Sequence, residues 1–264
     1  MQKTWFITGA NRGLGLEIAK AVLRAGDRVV AAGRQRETVN AALGADGERL
    51  LAVELDVTRA GQAKAAVEAT VARFGGIDVL ISGAAGNFPA PALGISPNGF
   101  KSVVDIDLLG SFHVLRAAFP YLNKPGASIV NISAPQAYVP MELQMHVCAA
   151  KAGVDMVTRV AAMEWAAAGV RVNSVTPGPI DGTEGMNRLA PNEAMRELVR
   201  DSVPLGQFGA VDDIANACLW LASAQARYVT GVVLPVDGGW SLGGLSASSA
   251  GMKKAFMAGG GQAA

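Results

Sequence analysis

The chain has 264 residues, half of them apolar and 17% charged, with a formal net charge of +1. Such a composition provides material for a sizeable core and excludes a largely disordered chain. The near-neutral balance, without a basic run, argues against nucleic acid or another polyanion as partner, so an anionic ligand has to be held by local geometry.

Taken in chain order, short runs rich in Val and Ile at 4–8, 28–32, 50–54, 79–82, 128–132, 171–175 and 232–234 read as seven strands. The runs are nearly continuous rather than alternating, which marks strands covered on both faces. Helical spacing fills the intervals at 14–24, 59–74, 100–121, 144–167 and 211–223. The pattern predicts an α/β fold, a doubly wound seven-stranded parallel sheet with helices on both faces, in one domain over 1–240. The turn-rich stretch from Pro177 to Pro204 predicts a short mobile helix, with a substrate lid near 181–204. Residues 241–264 turn rich in Gly, Ala and Ser and read as a flexible, poorly packed tail.

Cys148 and Cys218 lie in apolar helical contexts and read as small buried hydrophobes rather than disulfide or redox partners. The start of the chain leads almost directly into a strand, no apolar stretch reaches membrane-spanning length, and 262–264 carry no address signal. The expectation is a soluble cytoplasmic protein without a membrane partner. No His, Cys, Asp or Glu cluster has metal-ligand spacing.

Directly after the first strand comes Thr8-Gly9-Ala10-Asn11-Arg12-Gly13-Leu14-Gly15, opening a helix. Glycines at a strand-to-helix junction let the backbone turn tightly and approach a pyrophosphate, whose charge meets the unpaired N–H groups of the helix start. With this GxxxGxG spacing, the chain resembles the short-chain dehydrogenase/reductase family over roughly residues 3–240. The resemblance implies a Rossmann fold that binds a nicotinamide dinucleotide, with Gly9, Asn11, Arg12, Gly13, Leu14 and Gly15 against it. The second strand ends in Ala32-Gly33-Arg34, without the carboxylate that would accept from the ribose hydroxyls of NAD. Arg34 and Arg12 suit a 2'-phosphate instead, so NADP(H) is the expected cofactor. Asp56 and Val57 match the family's adenine edge, although Asp56 alternatively caps a helix beginning at Thr58. Ala84, Ala85 and Gly86 are small enough to pass close to the cofactor ribose, while Pro177, Gly178, Ile180 and Thr183 match the loop around the carboxamide and phosphates.

The family's Tyr-x-x-x-Lys pair puts phenol and ammonium on one helix face. Lys151 is present here, but Val147 stands in the tyrosine position and Ala134 in that of the customary serine. Asp107 replaces the usual asparagine. Together with Ala84-Ala85-Gly86-Asn87-Phe88 and Gln144-Met145-His146, these departures resemble the 2,4-dienoyl-CoA reductases, especially the peroxisomal type, over about residues 84–190. In a conjugated thioester negative charge develops on a dienolate oxygen and the proton is needed on carbon, so a phenol beside a carbonyl is dispensable. The resemblance implies that Asp107 with a water supplies the proton and that Lys151 holds the nicotinamide ribose. It also implies that Phe88, Ser96 and Asn98 line the acyl-thioester site, with Arg188 near the CoA moiety.

Two other readings remain open from the residues. One is an NADPH-dependent ketone reductase whose proton donor has moved to Tyr138 or to water, and the other is a catalytically idle NADP-binding module. His146 reads as a packed histidine. The resemblance further implies a homotetramer built on the long helices and the last strand, which Val236-Asp237-Gly238-Gly239-Trp240 fits.

Overall fold

The computed structural model describes residues 2–258. Seven parallel strands, β1 (Thr4–Thr8), β2 (Arg28–Gly33), β3 (Leu50–Glu54), β4 (Val79–Ser82), β5 (Ser128–Ile132), β6 (Arg171–Pro177) and β7 (Val233–Val236), form one sheet in the order β3-β2-β1-β4-β5-β6-β7. The order reverses between β1 and β4, and the crevice beyond their carboxyl ends is where such sheets bind ligands.

Alternate strand residues feed two cores, as the twofold period of a strand requires. Trp5, Ile7, Val79, Ile81 and Val130 pack beneath α1 (Gly13–Arg24) and α9 (Val211–Leu221). Phe6, Leu80 and Ile129 pack on the other face, beneath α3 (Ala60–Phe74), α5 (Gly110–Ala118) and α6 (Met145–Trp165). Each fully buried Ile or Phe contributes roughly 1.5–3 kcal/mol relative to exposure.

Three elements differ from the sequence reading. The segment expected as one helix over 100–121 is α4 (Pro97–Val104), a π-helical turn over Asp105–Leu109, then α5. Ser96 starts it early by accepting from the Gly99 N–H at 3.0 Å, with Pro97 in the first turn where its missing donor costs nothing. An additional helix, α2 (Arg36–Leu43), buries only Val39 and so leaves little periodic signal. The stretch expected to hold one short helix has two, α7 (Glu184–Leu189) and α8 (Glu193–Asp201).

The tail expectation is corrected more sharply. Residues Gly244–Ala258 form a helix, α10, that buries Leu245, Ser248, Ser249 and Met252. Small residues there serve close approach rather than flexibility: a Cβ on Gly244 would lie 1.8 Å from the Ser202 carbonyl oxygen. Ser249 accepts from the Glu142 N–H at 3.0 Å, tying the helix to the loop before α6. The remainder of the expected tail, 259–264, lies outside the described residues.

Candidate active site

A cleft of about 630 Å³ opens at the strand-order switch. It gathers the glycine-loop residues Gly9, Asn11, Arg12, Gly13, Leu14 and Gly15 with Arg34, Asp56, Val57 and the 84–86 segment. From the other half of the sheet it gathers Asp107, Lys151, Pro177, Gly178, Ile180, Thr183 and Arg188. The first turn of α1 sits directly on the loop, since a Cβ on Gly15 would lie 2.4 Å from the Gly9 carbonyl oxygen. Its N-cap, Arg12, makes no side-chain cap, so the helix start faces the cleft with donors available to an anion. Thr8 joins the halves by accepting from the N–H groups of Gly83 and Ala84 at 2.9 and 3.1 Å.

Arg34 is exposed on the rim. Arg12 pairs with Glu184 of α7, and Glu184 also pairs with Arg188, which donates to the Asn87 carbonyl at 2.7 Å. Asp56 is not a helix cap, because α3 is entered at Arg59. Its carboxylate instead accepts from the N–H and hydroxyl of Thr58, at 3.0 and 2.7 Å. Burial pushes the Asp56 carboxyl up, but those two bonds, with Arg59 and Arg34 nearby, outweigh it and hold the pKa below the ordinary value. Thr183 caps α7 by accepting from Met186 and donates to the Ile180 carbonyl.

At the inner end, Asp107 is 1% exposed and lies on the π-helical turn, a feature that often marks functional positions. Its Oδ1 accepts from the Gly86 N–H at 2.7 Å, and its Oδ2 stands 3.2 Å from Lys151 Nζ. Lys151 also donates to the Ile132 carbonyl at 2.9 Å. Ser111 bonds the Asp107 carbonyl oxygen and meets Ser82 on β4, which holds the turn against the sheet. Val147 lines the cleft where a tyrosine would otherwise stand.

Other assigned residues are placed elsewhere. The Tyr138 hydroxyl lies 3.3 Å from the Thr176 hydroxyl, and Tyr138 does not line the cleft. Ser96 is committed to capping α4, Asn98 is exposed on its first turn, and Phe88 packs on His146 with ring centroids 4.4 Å apart. None of these three lines the cleft.

His146 is fully buried with neither ring nitrogen hydrogen-bonded. Burial lowers its pKa, against opposing pulls from the Phe88 backbone and the Asp107 charge, so the ring stays neutral near pH 7. Burial likewise pushes the Cys218 thiol up to about 12 and raises Cys148, which leaves both protonated and unreactive.

One buried carboxyl escaped the sequence reading because a lone Asp within a helix carries no motif. Asp155, one turn beyond Lys151, is buried, and that burial raises its pKa despite the neighbouring Ser133 and Ser174 hydroxyls and the charges of Arg159 and Lys151. A raised folded-state pKa contributes stability that is full below the ordinary carboxylate value and lost as pH rises through the folded value. Asp155→Asn is therefore expected to gain melting temperature relative to the native chain on moving from acid to neutral pH. A difference that stays flat or reverses across that range would count against the raised pKa.

The glycine loop at a strand-order switch, with a lysine and a carboxylate at the inner end, defines the class. Over residues 9–241 the chain matches the family described as Enoyl-(Acyl carrier protein) reductase. It belongs to the short-chain dehydrogenase/reductase family of oxidoreductases. It is 43% identical over 239 residues to the peroxisomal 2,4-dienoyl-CoA reductase [(3E)-enoyl-CoA-producing] of Danio rerio, covering 89% of this chain and 80% of that one. A probable 2,4-dienoyl-CoA reductase [(2E)-enoyl-CoA-producing] of Bacillus subtilis is 34% identical, covering 90% and 96%. Among solved structures, 3-ketoacyl-(acyl-carrier-protein) reductase from Brucella melitensis complexed with NADH superposes with a TM-score of 0.84 at 33% identity, covering 90% and 98%. Among the described residues, no helix is long and apolar enough to cross a membrane, and no group of three or more His, Cys, Asp or Glu is placed to hold a metal.

Proposed function

We propose that the chain is an NADPH-dependent reductase of 2,4-dienoyl-CoA thioesters. The observation that carries this reading is the buried Asp107–Lys151 pair at the inner end of the cleft, with Val147 in place of a phenol. The residues present fit the dinucleotide: the glycine loop, left-handed at Gly9 and Gly13, the open start of α1, and the cations Arg12 and Arg34 on the adenosine side.

When bound, the nicotinamide supplies a hydride to the far carbon of the conjugated system. Lys151 orients the nicotinamide ribose and, as a cation, favours negative charge developing on the thioester oxygen nearby. Asp107, fixed by Gly86 and Lys151, relays a proton through water to the carbon next to the thioester carbonyl. Protonation there leaves the remaining double bond one position further along, giving a 3-enoyl product. That regiochemistry agrees with the product named for the Danio rerio relative rather than for the Bacillus subtilis one.

Arg188, in the last turn of α7 at the rim of the cleft, suits the phosphates of CoA, and α7 with α8 forms the lid over the thioester. Exposed Phe112, Met156, Val160 and Met163 on α5 and α6 support assembly as a homotetramer through those helices.

The test is NADPH oxidation with a 2,4-dienoyl-CoA beside a 2-enoyl-CoA and a 3-ketoacyl-CoA at equal concentration. Preferential turnover of the dienoyl thioester to a (3E)-enoyl product is expected. Turnover of the ketone alone would overturn the assignment and return attention to Tyr138.

A further inference from the structure

Beside the main cleft lies a second cavity of about 220 Å³, bounded by the loop before α6, by α8 and by α10. Arg188 and Met252 line both spaces, so the two are neighbours at the lid end of the cleft. The smaller cavity is walled by Met141, Leu143, Met195, Met252 and Phe256. Polar groups on its rim are already engaged: Glu142 pairs with Lys253, Asn192 caps α8 at the Met195 N–H, and Arg188 pairs with Glu184. Gln144 is fully buried there with neither amide atom hydrogen-bonded. Five apolar side chains, with the rim charges already paired, make a wall suited to hydrocarbon.

The backbone supplies a second, independent observation. Leu143 has φ of +66°, a left-handed conformation that is costly for a bulky side chain and that persists only where the surroundings enforce it. Here the Ala90 N–H holds the Leu143 carbonyl at 3.0 Å, and the strained residue forms part of the cavity wall.

We infer that this methionine-lined cavity receives the acyl tail of the thioester and sets a preference for longer chains. The inference rests on the proposed thioester reading of the main cleft. Unbranched, polarizable methionines re-pack around tails of different length, so the cavity grades substrates by length instead of admitting one.

The experiment compares kcat/KM for hexadienoyl-CoA and decadienoyl-CoA in the native chain and in Met195→Trp and Ala255→Trp, which fill the cavity from α8 and from α10. The native chain is expected to favour the longer ester. Each filling variant is expected to lower the longer ester's kcat/KM by about tenfold or more while the shorter ester stays within about twofold. The inference is overturned if the length ratio is unchanged in both variants, or if both esters fall together while the KM for NADPH holds. Calorimetric binding of saturated short-chain and long-chain acyl-CoA to the NADP-bound protein gives a readout independent of turnover. If no dienoyl ester reacts, length-graded binding that Met195→Trp abolishes sustains the cavity assignment and only the reductase reading falls; length-independent binding removes the cavity assignment itself.

Discussion

Asp107→Asn is expected to lower kcat for a 2,4-dienoyl-CoA by about 10²–10⁴-fold, the range for loss of a positioned proton donor, while the dissociation constant for NADPH changes little. Asparagine keeps the side-chain shape and can still accept from the Gly86 N–H, so the turn on which residue 107 sits is preserved. The substitution also leaves Lys151, 6% exposed, without its countercharge, and breaking a buried pair from one side costs about 3–5 kcal/mol. Adding Lys151→Met, which removes the stranded charge, isolates the stability effect alone, since Lys151 itself belongs to the proposed catalytic pair. The double variant is expected to recover melting temperature without recovering turnover. If Asp107→Asn retains near-native kcat, the proton comes from elsewhere and the dienoyl mechanism fails. If activity instead returns with stability in the double variant, the pair is structural.

The second large effect concerns cofactor choice. Arg34→Ala is expected to raise the KM for NADPH by about 10–100-fold, because a hydrogen bond to a charged group contributes about 1.5–3 kcal/mol, and to leave the KM for NADH nearly unchanged. Arg12→Ala is expected to act in the same direction but less strongly, because Arg12 is already paired with Glu184 and must be shared with the phosphate. Glu184→Gln, which releases Arg12, is expected to tighten NADPH binding, with the gain shrinking as salt is raised. Equal losses for NADPH and NADH in Arg34→Ala would show that this guanidinium does not read a 2'-phosphate.

The reach of sequence reasoning followed the range of the interactions involved. The glycine loop was legible because tight turning, close approach and anion binding all act within Gly9 to Gly15 and need no distant partner. Strand positions were legible because continuous apolar runs report burial on both faces directly. The π-helical turn at Asp105–Leu109, inside an otherwise continuous helical run, was not, since apolar and polar residues there keep ordinary helical spacing and the turn is held by Ser111 and Gly86 from outside it. Ser96 and Asn98 were placed at the thioester by likeness alone, and a Ser-Pro helix start is an equally good local account of those residues.

By itself, then, the sequence determined the α/β class, the strand-to-helix glycine loop, the cations in place of an acidic ribose partner, and the absence of a phenol four residues before Lys151. Only the tertiary structure decided that Asp107 and Lys151 meet at 3.2 Å, that Tyr138 turns toward Thr176, and that 244–258 pack as a helix. The physical reason is that propensity and periodicity sum free energies within one turn or strand. These outcomes instead depend on which elements the sheet order brings together, and in α10 the small residues that weaken local helix preference are the ones that permit close docking.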